Sequence, residues 1–95
     1  MSLTLCVLLW ARDGCEAALI EYEDRVLRLV PAHGGRVIQR ARTSGAGAAP
    51  LEVQLLEFPS QEVLEEYMND DRRVSLAEDR DHAIARTDVL RVDLV

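Results

Sequence analysis

Lysine is absent from this sequence, and all 11 of its basic residues are arginine. Schiff-base aldolases and pyridoxal-phosphate enzymes form a covalent bond through a lysine amine. A Walker-type NTPase also needs a lysine, which contacts the terminal phosphates of the nucleotide. The chain acting alone therefore belongs to none of these enzyme classes.

Cysteine is scarce as well, because Cys6 and Cys15 are the only two and they do not form a C-x-x-C motif. Met1 is followed almost at once by the apolar stretch 3–11, without the basic region of a secretory signal. This stretch of nine residues is about half the length that a helix needs to cross a bilayer. We therefore expect free thiols, no membrane partner and a soluble protein in the reducing cytoplasm.

Motifs for metals and cofactors are missing too. His33 and His82 are 49 positions apart, and no H-x-x-x-H pattern is present, which makes a zinc site a poor expectation. The glycines of Gly45-Ala46-Gly47 lie between two predicted strands rather than between a strand and a helix, so they do not form a dinucleotide-binding loop. We expect neither a metal nor a cofactor.

Positive charge is the minority sign, with 17 acidic residues against 11 basic ones and a formal net charge of −6. Nucleic-acid affinity depends on cationic side chains that release counterions from the phosphates. Arg36, Arg40 and Arg42 lie close together, but no aromatic residue is interleaved with them. We expect these arginines to lie on a solvated strand face, and we expect no nucleic-acid partner.

The 95 residues are enough for one domain, 1–95, with a modest core. Residues 3–11 are apolar on both faces and predict a central strand, and residues 51–58 predict a second one. The more polar segments 36–42 and 88–95 predict the two edge strands.

Helical periodicity covers 15–32, with Leu19, Tyr22 and Val26 on the apolar side. The opposite, solvated side is expected to carry Glu16, Glu21, Glu23, Asp24 and Arg28. Two further helical segments are predicted, at about 60–68 and 72–86. Ser60 is the expected cap of the first of these, directly after Pro59 ends the preceding strand.

The resulting order is β-α-β-β-α-β, which predicts a four-stranded antiparallel sheet with both helices on one face. The second face has no helices of its own, although the central strands are apolar on both sides. A second copy of the chain is the simplest cover for that face. We therefore predict a homodimer that packs sheet to sheet.

Two junctions carry a family resemblance, namely His33-Gly34-Gly35-Arg36 and Glu57-Phe58-Pro59-Ser60. Together with Tyr22 and Tyr67, they resemble the dimeric α+β barrel superfamily, and within it a small uncharacterised bacterial group with a G-G-R … E-F-P-S pattern. The resemblance implies a ferredoxin-like α+β fold and a homodimer. The chain departs from the group after the second helix, where the group's W-Y-x-S-x-x-Y pattern is replaced by Glu66-Tyr67-Met68-Asn69-Asp70-Asp71-Arg72.

His33 and Glu57 are the candidate catalytic residues. His33 stands at the end of the first predicted helix, where it would act as a general base or cap the last carbonyls. Glu57 lies between apolar neighbours at a strand end, where burial would raise the pKa of its carboxyl unless an arginine pairs with it. Its alternatives are an acid or base at a pocket and an ion pair with Arg36 or Arg40.

The candidate ligand-binding residues are Tyr22, Arg40, Tyr67 and Trp10. Both tyrosines lie on apolar helix stripes, where core packing with the hydroxyl at a rim is the alternative to a role at a site. Trp10 ends the first strand and would form the floor of a pocket or cover one end of the barrel. His82 lies in a charged run that is typical of a solvated helix face.

Three functions remain open. The first is the binding of a small molecule between helices and sheet, near a cluster of His33, Arg40, Glu57, Tyr22 and Tyr67. The second is a non-enzymatic dimerisation or regulatory module that uses the acidic stretch 65–71 as a protein contact. The third is a cofactor-free monooxygenase or isomerase, by analogy with the wider superfamily, which also includes haem-handling enzymes. Fold alone does not choose among them, and whether the chain is an enzyme stays open.

Overall fold

The computed structural model describes residues 2–95. These residues form four strands, four α-helices and one short 3₁₀ helix. In chain order, the elements are β1 (Leu3–Ala11), α1 (Glu16–Leu27), the 3₁₀ helix (Pro31–His33), β2 (Arg36–Arg42), β3 (Glu52–Phe58), α2 (Gln61–Met68), α3 (Asp71–Val74), α4 (Ala77–Ala83) and β4 (Ile84–Val92).

The strands form one antiparallel sheet in the order β2-β3-β1-β4. The two strands predicted to be central are central, and the more polar β2 and β4 are the edges. The helices cover the face that carries Leu5, Val7 and Leu9, which are buried at alternate positions of β1. This arrangement confirms the ferredoxin-like α+β fold class with helices on one face. We call the sheet face that the helices cover the helix face, and the opposite one the open face.

Residues of the two junctions have structural roles in the turn before β2 and at the start of α2. Gly34 has a φ of 73°, which favours glycine. A Cβ added at Gly35 would lie 2.7 Å from the backbone oxygen of Glu57, so the close approach of these two segments also needs glycine. Ser60 caps α2 as expected, because its Oγ accepts a hydrogen bond from the Val63 amide at 3.2 Å.

Several element boundaries differ from the prediction, and the helix expected at about 72–86 is divided into α3 and α4. The helix expected over 15–32 ends at Leu27 and continues as turns into the 3₁₀ helix at Pro31, because proline lacks an amide hydrogen for the helical ladder. The last strand begins at Ile84 rather than at 88, and it ends at Val92 rather than at 95. Ile84 pairs with Ala11 beyond a register shift, so the pairing with β1 overrides the helical pattern that the sequence shows there.

The placement of Glu23 on the solvated side of the first helix was wrong. Glu23 is only 5% exposed and lies among the buried residues of α1, together with Leu19 and Val26. Glu52 and Gln54 of β3 are buried on the helix face as well. The core of this domain therefore contains a polar group at its centre.

Other expectations concern thiols and membranes. Cys6 and Cys15 are free thiols, as predicted. Among residues 2–95, no helix is both long enough and apolar enough to span a bilayer.

Candidate functional site

A cavity of about 300 Å³ lies between the helices and the helix face of the sheet. Its walls are mainly aliphatic and aromatic, and they come from strands β1, β3 and β4 and from all four α-helices. The apolar lining residues are Leu5, Val7, Leu9, Val26, Leu27, Leu56, Phe58, Leu64, Met68, Ile84 and Val89. The polar lining residues are Glu23, Gln54, Tyr67, Arg73, Arg80 and Thr87. A mostly apolar wall with a few polar groups is typical of small-molecule sites, which begin at about this volume.

Gln54 connects two buried carboxyls behind this wall. Its Nε2 donates to Glu23 Oε1 at 2.7 Å and to Glu52 Oε2 at 2.6 Å. Gln54 and Glu52 lie two residues apart on β3, whereas Glu23 reaches them from α1. The amide therefore ties the first helix to the central strand through a polar contact inside the core.

Two arginines compensate the buried negative charge of Glu52. Arg40 donates to both of its oxygens, at 2.9 Å from Nε and 3.1 Å from Nη2, and Arg42 Nε adds a third bond at 3.0 Å. Burial alone would raise the pKa of Glu52, but the hydrogen bonds from Arg40, Gln54 and Arg42 lower it below its ordinary value. Asp24 completes the network by accepting from Arg40 Nη1 at 2.7 Å.

Glu23 has a different environment. Burial raises its pKa, the hydrogen bond from Gln54 opposes that shift, and the negative charge of Glu52 adds to it. The neutral acid is therefore more favoured at Glu23 than at an ordinary glutamate. Glu23 also lines the cavity, whereas Glu52 does not.

Tyr67 and Arg73 form another part of the wall. The Tyr67 hydroxyl donates to the Val26 carbonyl at 3.1 Å, and its ring packs against Phe58 with centroids 5.3 Å apart. Burial raises the pKa of Tyr67 to about 12, so the phenol stays protonated near neutral pH. The Arg73 guanidinium lies over the Tyr67 ring, 5.3 Å from its centroid.

The predicted cluster of His33, Arg40, Glu57, Tyr22 and Tyr67 does not converge on this cavity. Of these residues, only Tyr67 lines it. Arg40 lies in the ion-pair network with Glu52 and Asp24. The prediction of a shared site was wrong, because Glu57 lies on the open face and Arg40 is taken up by carboxylates. His33 and Tyr22 lie at other places on the helical layer.

His33 contacts an acidic side chain instead of the helix carbonyls. Its Nε2 lies 2.8 Å from Asp70 Oδ2, and its ring meets Tyr67 edge-on with centroids 6.0 Å apart. Hydrogen bonds from Arg72 and then from His33 hold the pKa of the Asp70 carboxyl well below its usual range. This contact joins the 3₁₀ helix to the N-terminus of α3.

Glu57 and Trp10 lie on the open face, away from the cavity. Arg36 Nε donates to Glu57 Oε1 at 2.8 Å, which is the ion pair named among the alternatives for this glutamate. Trp10 Nε1 donates to the Ala48 carbonyl at 2.9 Å, and the Arg86 guanidinium stacks on its ring at 4.5 Å. Trp10 therefore fixes the β2–β3 connection rather than forming a floor of this cavity.

Tyr22 is buried, at 3% exposure, and burial raises the pKa of its hydroxyl. It lines a smaller recess of about 110 Å³ at the surface between α1 and α4, together with Arg25, Asp79 and His82. This recess shares no lining residue with the cavity between the helices and the sheet.

Sequence reasoning missed Glu23, Gln54 and Arg73. Glu23 follows Leu19 by four positions and precedes Val26 by three, so its spacing fits the buried stripe of α1. Gln54 has the same strand parity as Leu56 and Phe58, which point to the helices. No signal in the sequence identifies Arg73.

The chain is similar in fold to several bacterial proteins of known structure. One is a dimeric protein of unknown function and ferredoxin-like fold from Bacteroides fragilis, with 13% identity, 98% of this chain and 96% of that chain covered, and a TM-score of 0.73. PA3566 from Pseudomonas aeruginosa matches with 15% identity, 99% and 94% coverage and a TM-score of 0.76. Rv0793 from Mycobacterium tuberculosis matches with 12% identity, 100% and 96% coverage and a TM-score of 0.78.

No protein-family model matches the sequence, and no curated protein matches it significantly. At these levels of identity, the structural neighbours show the fold alone.

Proposed function

We propose that this chain is a small-molecule-binding domain whose ligand occupies the cavity between the helices and the sheet. The cavity itself carries the proposal, since its volume of about 300 Å³ and its mainly apolar walls suit a compact organic ligand. The polar side chains that line the cavity would orient such a ligand. Because His33 and Glu57 do not line the cavity, we propose binding and assign no acid–base step to this site.

Extraction of small molecules from the purified protein, followed by mass spectrometry, tests this function. Val89 lines the cavity from the edge strand and is 55% exposed, so Val89→Phe fills the rim with little strain. Val74 is a matched control, because it is 52% exposed and does not line the cavity. We expect a stoichiometric metabolite from the natural protein and from Val74→Phe, and its loss from Val89→Phe. Equal recovery from both variants, or no metabolite from any of the proteins, would contradict the proposal.

We also propose that two copies associate through the open face. Cys6 of β1 lies between Leu55 of β3 and Leu90 of β4 in register, and Leu8 lies beside Val53. Leu90 is 53% exposed in the single chain. A continuous apolar patch at the centre of a sheet is a typical interface, and the Bacteroides fragilis neighbour is described as dimeric.

Light scattering tests this association. We expect a dimer at micromolar concentration and a monomer for Leu90→Asp, because a carboxylate would have to be buried against the partner. A strict monomer for the natural chain would contradict the dimer.

The resemblance to the small bacterial group with the G-G-R … E-F-P-S pattern, and a cytoplasmic location, stay predictions.

A further inference from the structure

Arg73 stands out among the polar residues of the cavity wall. Its Nε is buried and has no hydrogen-bond partner in the part of the chain that the structure describes. Its Nη1 donates to the Met68 carbonyl at 3.3 Å, and its guanidinium lies over the Tyr67 ring. These contacts fix the plane of the guanidinium and leave one donor without an acceptor.

A buried donor without an acceptor is unusual, because desolvation of an N–H group is not offset unless a hydrogen bond replaces the water. The arginines behind Gln54 do not share this feature. Arg40 donates from all three of its nitrogens to carboxylates. Arg73 therefore differs from Arg40, because its guanidinium contacts a backbone carbonyl and an aromatic ring but, in the described part of the chain, no carboxylate.

The charge of Arg73 is unpaired as well. Within residues 2–95, no carboxylate lies within ion-pair distance of Arg73, although most other arginines have one. Glu23 lines the same cavity, and its carboxyl, whose pKa is raised by burial, bonds to Gln54 rather than to Arg73. Arg80 also lines the cavity, and Asp81 and Thr87 already contact its guanidinium.

We propose that the ligand of this cavity is a small, mainly apolar molecule with one carboxylate, and that this carboxylate binds the guanidinium of Arg73, which lines the cavity without an ion-pair partner among the described residues. The apolar body would pack against Val7, Leu64, Ile84 and Val89, which line the same space. A volume of about 300 Å³ equals that of about ten liquid water molecules, which suits one ring or two fused rings. This inference rests on the proposed function and specifies its ligand class.

Matched pairs of probes test the ligand class on the natural protein. Isothermal titration calorimetry compares benzoate with benzamide and 1-naphthoate with 1-naphthamide, so that each pair differs only in the charged group. We expect the acid to bind about tenfold to a hundredfold more tightly than its amide, as for a charge-assisted hydrogen bond. Equal affinities within a pair would overturn the carboxylate while leaving the cavity as a binding site. No binding by any probe, together with no loss on Val89→Phe, would count against both.

Two charge-removing variants identify the arginine that binds. Arg73→Gln and Arg80→Gln each take one positive charge from the cavity wall, so they share any general electrostatic effect. We expect Arg73→Gln to abolish the preference for the acid and Arg80→Gln to keep most of it. The reverse order would overturn the assignment to Arg73.

A third variant covers the risk that Arg73→Gln unfolds. Arg73→Lys retains the charge but lacks the planar guanidinium that matches a carboxylate. We expect it to fold, as judged by circular dichroism, and to keep less than a tenth of the acid preference. A full acid preference in this variant would overturn a role for the guanidinium geometry.

Discussion

Glu23 and Glu52 share one amide, that of Gln54, yet their surroundings differ in kind. Glu52 is fully buried and accepts hydrogen bonds from two arginines, so its charge is compensated inside the protein. Glu23 borders a cavity, and burial raises the pKa of its carboxyl. One end of this polar core is therefore complete in the single chain, whereas the other end, with Arg73, offers to a ligand a guanidinium that has no ion-pair partner within residues 2–95.

The largest effect is expected from the matched pair Glu52→Gln and Glu23→Gln. Removal of the Glu52 charge leaves Arg40 and Arg42 without their shared carboxylate, which costs about 3 kcal/mol of unfolding free energy. Glu23→Gln keeps the hydrogen bond to Gln54, so the stability at neutral pH stays unchanged or rises by no more than about 1 kcal/mol. Urea denaturation measures the unfolding free energy of both variants, and equal losses would show that the two glutamates do not differ in how their charges are compensated.

A smaller effect is expected from Tyr67→Phe. The variant keeps the packing on Phe58 but leaves the buried Val26 carbonyl without its donor. We expect a loss of about 1 kcal/mol in unfolding free energy, measured by the same denaturation. A change in the acid preference of the cavity in this variant would show that the hydroxyl, and not Arg73 alone, contacts the ligand.

The dependence of stability on pH sharpens the difference between the two glutamates. The folded-state pKa of Glu23 is raised, so its contribution is fully present below the ordinary pKa of about 4.5 and is lost as the pH rises through the raised value. The folded-state pKa of Glu52 is lowered, so its contribution is present above the ordinary pKa and is lost as the pH falls. The charged groups that act on Glu23 are Glu52, Arg73 and Arg40.

Thermal unfolding between about pH 2 and pH 8 measures these opposite trends, because the contribution of Glu52 is lost only below the ordinary glutamate pKa of about 4.5. As the pH rises, we expect the unfolding temperature of Glu23→Gln to increase relative to that of the natural chain. As the pH falls below about 4.5, we expect the deficit of Glu52→Gln relative to the natural chain to shrink. Parallel curves for Glu23→Gln and the natural chain would mean that Glu23 is an ordinary ionised glutamate in the folded protein.

The smallest effect is expected on the open face. Arg36 is mostly exposed and its pair with Glu57 is screened by water, so Arg36→Gln changes the unfolding free energy by no more than about 0.5 kcal/mol. Because both residues lie away from the cavity, probe affinities stay the same. A clear loss of probe binding would show that the open face takes part in the site.

The sequence predicts the secondary structure and topology of this molecule better than its candidate site. Pro59, Ser60 and the glycines at 34 and 35 place the element boundaries through local stereochemistry, which needs no knowledge of distant residues. The parity of β3 is different, because the alternation of Glu52, Val53 and Gln54 is compatible with polar residues on either face. In the folded protein, Leu56 and Phe58 are buried on the helix face, and the shared parity places Gln54 there as well, where it meets Glu23 of α1.

Arg73 illustrates a second limit. Its neighbours Met68 and Tyr67 lie on the preceding helix, and its significance depends on a partner that its Nε does not have within residues 2–95. A missing partner leaves no periodicity or motif in a sequence. Glu57, by contrast, stood out among apolar neighbours and proves to be paired with Arg36 on the open face.

A high-resolution crystal structure of the protein as purified, without added ligand, is the sharpest test of the carboxylate ligand. We expect density for a compact organic acid in the cavity, with a carboxylate oxygen within about 3 Å of a guanidinium nitrogen of Arg73, the ordinary length of such a bond. A cavity closed by Leu64 and Met68, with the Arg73 guanidinium bonded only to groups of the protein itself, would contradict this ligand class.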